Sequence, residues 1–357
     1  MHTDLGTLCI DRDRSIHETM SLMDISRLGI VLVVDAKRRL VGTVTDGDVR
    51  RAILASLSLE EPITTLLARK ACTEFAAPIW ASDTAPRARL LELLQQHSIR
   101  HLPILDRARR VVGVVTLEEF IGDEPLLVRA VVMAGGVGKR LLPLTQDTPK
   151  PMLRVGDRPV LEIIIQQLRE AGITRVKVTT HHKPEKITEH FGDGRDFGVE
   201  LSYVEEDRPL GTVGGLGLLE APTETTLVIN GDILTQVDFR AMLLYHREHQ
   251  ADLTVAVRQY DLQMPYGVVE CEGSKVVGLS EKPVLHCFVN AGIYLLEPAV
   301  YGLIPNGQRF DMTDLIQCVL QGGREVVSFP VHEYWLDIGQ AADYEQAQEQ
   351  ANAWEPR

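Results

Sequence analysis

One segment occurs twice in the first third of the chain, and this duplication constrains the fold more than any other feature. Gly29–Thr45 aligns with Arg100–Thr116 at a shift of 71 residues. Asp35, Arg38, Arg39, Val41, Gly42, Val44 and Thr45 then fall on Asp106, Arg109, Arg110, Val112, Gly113, Val115 and Thr116. The period is too long for a solenoid. Each copy reads as a helix, an apolar strand (Ile30–Val34; Leu102–Leu105), a charged turn, a second strand (Leu40–Val44; Val111–Val115) and a second helix. The helix before each first strand carries apolar residues at helical spacing: Ile16, Met20 and Met23, then Leu90, Leu91 and Leu94. Neither copy can cover both faces of its own strands, so the two are expected to pack against each other.

Ile121–Pro125 closes the repeat, and a fresh apolar strand, Val128–Met133, opens a different pattern. Strands at Arg175–Thr179, Leu227–Ile229 and Leu253–Val257 alternate with helical stretches such as Leu161–Ala171 and Phe239–Glu248. That alternation predicts an α/β, mostly parallel sheet wrapped by helices, with ligands beyond the carboxyl ends of the strands. The expected organisation is a tandem α+β module over residues 1–122 (repeats about 1–60 and 66–122) and an α/β domain over 127–350.

The strongest motifs stand just after strands. In Met133–Thr145, Ala134, Gly135, Gly136 and Gly138 let the backbone fold around an anion and present N–H groups to it. The loop is neither a Walker A loop nor a G-x-G-x-x-G turn. Lys139 and Arg140 follow, and then Lys150, flanked by Pro149 and Pro151, which restrict its backbone. Three cations around one glycine loop suit a triphosphate. Further on, Gly231-Asp232 ends a strand with a carboxylate, an arrangement compatible with Mg²⁺, which takes few carboxylates alongside phosphate oxygens and water.

Two resemblances follow from these residues. Gly42-Thr43-Val44-Thr45-Asp46-Gly47-Asp48 resembles the signature of the CBS domain, which implies that Thr45 lies near a ligand's phosphates and that Asp48 bonds ribose hydroxyls of an adenosine nucleotide (AMP, ADP or ATP). The second copy carries Glu119 in place of that aspartate. Two roles stay open for the pair: a nucleotide sensor or a dimerisation module. The second half resembles the sugar-1-phosphate nucleotidylyltransferases, with a Rossmann-like, GT-A-like fold. Its motifs are G-G-x-G-K-R-L-x-P-L-T, then Thr148-Pro149-Lys150-Pro151, Leu210-Gly211-Thr212-Val213-Gly214, Gly231-Asp232, Tyr266-Gly267, Glu281-Lys282-Pro283, Asn290-Ala291-Gly292 and Trp335-Leu336-Asp337. Lys139 stands where that family has Thr or Ser.

The resemblance implies that Arg140 and Lys150 are catalytic, that Leu210, Gly211 and Thr212 line the nucleoside, and that Asp232 and Asp337 hold Mg²⁺. It implies that Tyr266, Gly267, Glu281, Lys282 and Asn290 contact the sugar phosphate. The substrates would be a nucleoside triphosphate and a sugar 1-phosphate, in a homo-oligomer. The fusion to a CBS pair resembles the glucosamine-1-phosphate guanylyltransferases of legionaminic acid pathways, with mannose-1-phosphate guanylyltransferases and uridylyl or thymidylyl enzymes as alternatives. A rival class is a catalytically silent nucleotide sensor.

Charge and cysteines narrow the setting. A net charge of −13 argues against extended nucleic acid as a partner, since its phosphates reward a basic face. No apolar run reaches the ~20 residues of a membrane helix, and the polar first residues do not resemble a signal peptide. Five scattered cysteines without a C-x-x-C pair fit a reducing cytoplasm. His181-His182 reads as a loop after a strand, Gly192-Asp193-Gly194 as a turn, and Asp343–Ala353 as a solvated helix.

Overall fold

The computed structural model describes residues 1–71, 76–121 and 128–351; Cys72 and most of the Ile121–Pro125 connection lie outside them. The chain divides into two compact units, Met1–Glu124 and Pro125–Arg357.

In the first unit, each repeat forms a small sheet: β1 (Cys9–Asp11), β2 (Ile30–Val34) and β3 (Leu40–Thr45), then β4 (Ala81–Ser82), β5 (His101–Leu105) and β6 (Val111–Thr116). The helices are α1 (Ile16–Ser26) and α2 (Asp46–Leu54) in the first copy and α3 (Arg87–Gln96) in the second. All five residues of β2 are buried because its two faces meet different partners. Val31 and Val33 pack with Ile16, Met20 and Met23 of α1. Ile30, Leu32 and Val34 share a core with Leu105, Val111 and Val114 of the other copy. The expected packing of repeat on repeat is thus observed.

The duplicated D-x-x-R-R spacing has a local cause. Asp35 accepts hydrogen bonds from the backbone N–H groups of Lys37 (2.8 Å) and Arg39 (2.9 Å), and Asp106 does the same for Ala108 and Arg110. Each carboxylate thereby closes a turn whose fourth residue, Arg38 or Arg109, has a positive φ.

The second unit is built on a seven-stranded sheet. In chain order its strands are β7 (Arg129–Met133), β8 (Arg175–Thr180), β9 (Glu200–Glu205), β10 (Thr226–Asn230), β12 (Leu253–Gln263), β15 (Val284–Leu296) and β16 (Val326–Val331). Their spatial order is β9-β8-β7-β10-β15-β12-β16, parallel at every junction except the two that β15 makes. Both faces are covered, which is why β7 and β10 are apolar throughout. Ala130, Val132, Leu227 and Ile229 face the core that holds α4 (Val160–Glu170) and α5 (Phe239–Glu248), while Val131 and Val228 face the core of α6 (Met312–Gln321). A small two-stranded sheet, β11 (Ile233–Thr235) with β17 (Trp335–Asp337), follows β10 directly.

One expectation falls short. The strand expected at Leu253–Val257 continues to Gln263, past a bulge between Val255 and Val257, and runs with β15 as an exposed two-stranded arm. At its end lies a hairpin of β13 (Val268–Glu272) and β14 (Lys275–Ser280). The expected C-terminal helix runs from Ala341 to Glu349 and buries Ala347.

Candidate active site

The site grows from the carboxyl ends of β7 and β10, neighbours in the sheet. Gly138, just past β7, has φ +68°; a Cβ there would lie 2.8 Å from Thr145 Cγ2 and 3.3 Å from Lys150 Cβ. Thr145 Oγ1 donates to the Gly138 carbonyl at 2.8 Å. Only glycine lets the loop fold back this tightly on the segment that carries Lys150. Gly231, just past β10, donates its N–H to the Met133 carbonyl at 2.8 Å, and a Cβ on it would stand 2.9 Å from that same oxygen. This close approach brings Asp232 against the glycine loop.

There the charges converge. Lys150, whose side chain is only 11 % exposed, donates to Asp232 and lies 4.0 Å from Asp337 Oδ1. Asp337 reaches this point because β17 pairs with β11 in the register Ile233–Asp337, and because the Ile338 N–H donates to the Asp232 carbonyl at 3.1 Å. Burial raises the pKa of Asp337, and the neighbouring charge of Asp232 raises it further, while Lys150 and Arg140 work in the opposite direction. Arg140 stands at the exposed rim with Lys139; its guanidinium lies beside Gly339, where a Cβ would be 3.7 Å away. Asp343 fixes the turn after Asp337 by accepting from the N–H groups of Gly339 (3.1 Å) and Gln340 (2.7 Å).

The donor set was tested for a cation. Oδ1 of Asp232 and Oδ1 of Asp337 are both buried without a hydrogen-bond partner. Two converging carboxylates, each with a free oxygen, fit a hard divalent ion that takes its remaining ligands from phosphate and water.

The nucleoside segment packs on the other side of the loop. Gly211 has φ +83°, and a Cβ there would meet Asp311 Oδ1 at 2.5 Å. Asp311 accepts from the Thr212 N–H at 3.0 Å, and the Thr212 hydroxyl accepts from the Met312 N–H at 2.8 Å, which ties the segment to the start of α6. The Leu210 carbonyl accepts from Phe310 N at 2.8 Å.

Sequence reasoning missed Glu206. It follows β9 directly and is 6 % exposed, and its Oε2 accepts from the Leu210 N–H at 3.0 Å. A Cβ on Gly215 would lie 2.6 Å from Glu206 Oε1, and one on Gly135 3.4 Å from it. The carboxylate therefore sits where the glycine loop and the nucleoside segment meet. Burial raises its pKa against the lowering effects of the Leu210 N–H, His181 and Thr179. Its position at the end of a parallel strand was the one available signal. His181 bonds the Glu206 carbonyl through Nδ1 at 2.7 Å, as befits a residue of the loop after β8.

The sugar-side residues divide. Asn290 Oδ1 accepts from the Gly292 N–H at 3.0 Å, and its side chain bonds the buried hydroxyl of Tyr294. Burial pushes the Tyr294 pKa up to about 12, with Asp232 adding to the rise, so this pair adjoins the carboxylates. Trp335 Nε1 donates to the Ala291 carbonyl at 2.8 Å and holds the two motifs together. Tyr266, Gly267, Glu281 and Lys282 instead cluster on the exposed arm, where a Cβ on Gly267 would lie 3.0 Å from Glu281 Oε2. Among the described residues, no hydrogen bond or ion pair links these four to Lys150, Asp232 or Asp337.

In the first unit Thr45 precedes α2, and its N–H and hydroxyl both donate to Asp48 Oδ2 at 2.9 Å. Asp48 also pairs with Lys70 (2.8 Å) and Arg51 (2.7 Å). Burial alone would raise its pKa; the Lys70 charge, with the hydrogen bonds from Lys70, Thr45 and Arg51, outweighs it and holds the carboxyl below the usual range. Glu119 makes the matching contact in the second copy, accepting from the Thr116 N–H at 3.2 Å.

Comparison with known proteins fits this geometry. The family model for nucleotidyl transferases matches residues 129–353, and the CBS domain model matches residues 1–55 and 74–123. The chain is similar to a UTP–glucose-1-phosphate uridylyltransferase of Synechocystis, 33 % identical over 240 residues, covering 61 % of this chain and 62 % of that protein. It is also similar to a mannose-1-phosphate guanylyltransferase of Mycobacterium tuberculosis, 34 % identical over 226 residues with the same coverage. The chain thus spans 62 % of the length of both relatives. Among solved structures, a protein described as a glucose-1-phosphate thymidylyltransferase from Bacillus anthracis superposes with a TM-score of 0.54 at 25 % identity, covering 64 % of this chain and 96 % of that one. A glycine loop on a parallel sheet, two convergent carboxylates and a family match over most of the chain lead to one assignment: the chain belongs to the nucleotidyl transferase family and carries CBS domains at its N-terminus.

Proposed function

We propose that the chain transfers GMP from GTP to a sugar 1-phosphate, favouring glucosamine 1-phosphate, with release of pyrophosphate. The observation that carries the transferase reading is the meeting of Lys150, Arg140, Asp232 and Asp337 at the mouth of the glycine loop. A sugar phosphate oxygen attacks the α-phosphorus in line as pyrophosphate leaves. The attacking oxygen is already anionic, so no general base is needed, and catalysis consists of aligning and neutralising charge. Asp232 and Asp337 would hold Mg²⁺, which when bound offsets the charge of the phosphates. Lys150, no longer needed between those carboxylates, turns to the α-phosphate, while Arg140 at the rim neutralises the departing pyrophosphate. Asn290, Glu281 and Lys282 would take the sugar phosphate.

Glu206 supports guanine. A carboxylate only accepts hydrogen bonds, and the guanine edge offers two adjacent donors, N1–H and the 2-amino group. Uracil and thymine offer one N–H flanked by carbonyl oxygens, which a carboxylate repels. The similarity to a uridylyltransferase favours UTP as the second reading.

For the CBS pair, we infer that an adenine nucleotide binds at Thr45 and Asp48. Its ribose would share Asp48 with Lys70 and Arg51, whose charges then serve the phosphates, and binding would change turnover. The legionaminic acid setting and a cytoplasmic homo-oligomer belong to the same reading.

The test is pyrophosphate release in Mg²⁺, with GTP, UTP, dTTP, CTP and ATP each offered glucosamine, N-acetylglucosamine, mannose and glucose 1-phosphates. GTP with glucosamine 1-phosphate should be fastest. ITP, which lacks the 2-amino group, should fall behind GTP by about tenfold or more, and Glu206→Gln should narrow that gap. Release with UTP alone would refute the base assignment, and no release with any pair would leave the silent sensor.

A further inference from the structure

Of the nineteen large apolar side chains that stand exposed among the described residues, ten lie between Tyr260 and Phe288, on less than a tenth of the chain. They belong to the arm formed by β12 and β15 and to the hairpin at its end. The register shows how they are sorted. Directly opposed residues in an antiparallel pair share a face. Tyr260 opposes Cys287 and Leu262 opposes Leu285, which makes one face of the arm apolar. Gln259 opposes Phe288, Asp261 opposes His286 and Gln263 opposes Val284 on the other face, where His286 Nδ1 bonds Asp261 at 2.7 Å. Asn290 opposes Val257 at the root of that second, more polar face. The arm is therefore amphipathic, with the substrate-side asparagine on the polar side and Tyr260, Leu262 and Leu285 left 55 %, 48 % and 49 % exposed on the other. The terminal hairpin adds the opposed pair Val269–Leu279, 50 % and 71 % exposed.

A two-stranded ribbon with one apolar face is marginal in water unless that face is covered. We propose that the apolar face of this arm docks on the same arm of a second copy of the chain. Three observations favour that occupant. The segment Val257–Asn290 carries four acidic residues (Asp261, Glu270, Glu272, Glu281) and three basic ones (Arg258, Lys275, Lys282). A net charge near zero there makes it a place where two chains of net charge −13 can meet without repulsion. A face of opposed Tyr260–Cys287 and Leu262–Leu285 pairs is self-complementary under a two-fold rotation, as an isologous contact requires. At about half exposure, ten such side chains offer on the order of 800 Å², the share that each partner contributes to a stable interface. The polar face stays open, so docking leaves the Asn290 side accessible.

Self-association does not depend on the reaction proposed above, so its test stands apart from that reading. Sedimentation velocity of the full chain at micromolar concentration should give a species of twice 39.7 kDa. Leu262→Glu/Leu285→Glu, at exposed positions, should shift it to the monomer, with dissociation weakened by a factor of about a hundred or more and an unchanged circular dichroism spectrum. Cys287 provides a readout that needs no variant. Its thiol lies on the docking face and is exposed in the single chain, while Cys318, on α6, serves as control. Maleimide labelling of Cys287 relative to Cys318 should slow as the protein is concentrated, and should not slow in the double variant. A monomeric wild type overturns the proposal. So does a dimer in which Cys287 labels as fast as it does on dilution, because assembly would then use another surface.

Discussion

Removing Lys150 separates the roles assigned to it. The ammonium is the cation that keeps Asp232 and Asp337 together: it bonds the first and stands 4.0 Å from the second. Two unit charges at that distance attract by about 4 kcal/mol at the effective dielectric of a partly buried site. Desolvating the ammonium and the carboxylates offsets much of this. Asp337 is also 46 % exposed, so solvent screens it, and a net stability loss of about 1 kcal/mol is expected for Lys150→Ala. The variant then holds two carboxylates that repel each other, each with an oxygen lacking a partner. It should therefore bind Mg²⁺ more tightly than the wild type when nucleotide is absent, since no ammonium competes. At a hundred times its dissociation constant the ion would add about 2.7 kcal/mol, enough to restore the loss. Turnover should nonetheless fall by about 10²–10³, the scale of losing one preorganised charge. The assays are thermal unfolding with and without Mg²⁺, and pyrophosphate release at saturating substrates. Near-normal turnover, or a variant that gains no more thermal stability from Mg²⁺ than the wild type, would refute the reasoning.

Three other outcomes follow from the same geometry. Gly211→Ala places a Cβ 2.5 Å from Asp311 Oδ1 and 2.7 Å from the Phe310 carbonyl at a positive φ, so it should raise the KM for the nucleotide and lower stability by about 1–3 kcal/mol, read by steady-state kinetics and melting. Asp337 has a raised pKa in the folded chain, so its contribution to stability is present below its model value of 3.8 and is lost as pH rises through the folded value. Metal-free Asp337→Asn should therefore melt at a higher temperature than the wild type at neutral pH, and saturating Mg²⁺ should reverse the order; an unchanged order would contradict the metal assignment. Asp48→Ala should abolish any effect of AMP or ATP on turnover while leaving basal turnover alone, and retention of the effect would move the nucleotide away from Thr45 and Asp48.

Much of this molecule was legible in the sequence because its information is local. The repeated D-x-x-R-R marks a turn that one carboxylate closes through its own backbone, and so the motif survives duplication. The glycines at 138, 211 and 231 stand where a Cβ would strike a neighbouring segment, so residue type alone betrayed a close approach. The alternation of apolar strands and helices gave the parallel sheet, and with it the edge at which Asp232 had to stand.

Which distant groups share a wall was decided only in three dimensions. Glu206 was passed over because a Glu in an acidic run looks solvated; the packing of β9 against β8 and the return of Leu210 bury it beneath Gly135 and Gly215. Tyr294 read as one more apolar strand residue until β15 ran antiparallel beside β10 and set it near Asn290 and Asp232. The arm was read as a short buried strand because apolar composition does not say whether a face is covered, and only the sheet's edges show that β12 and β15 outrun it. Sequence determines what each segment prefers and where the backbone must pass close. Tertiary structure decides which charges face one another, because burial and opposition arise between segments far apart in the chain.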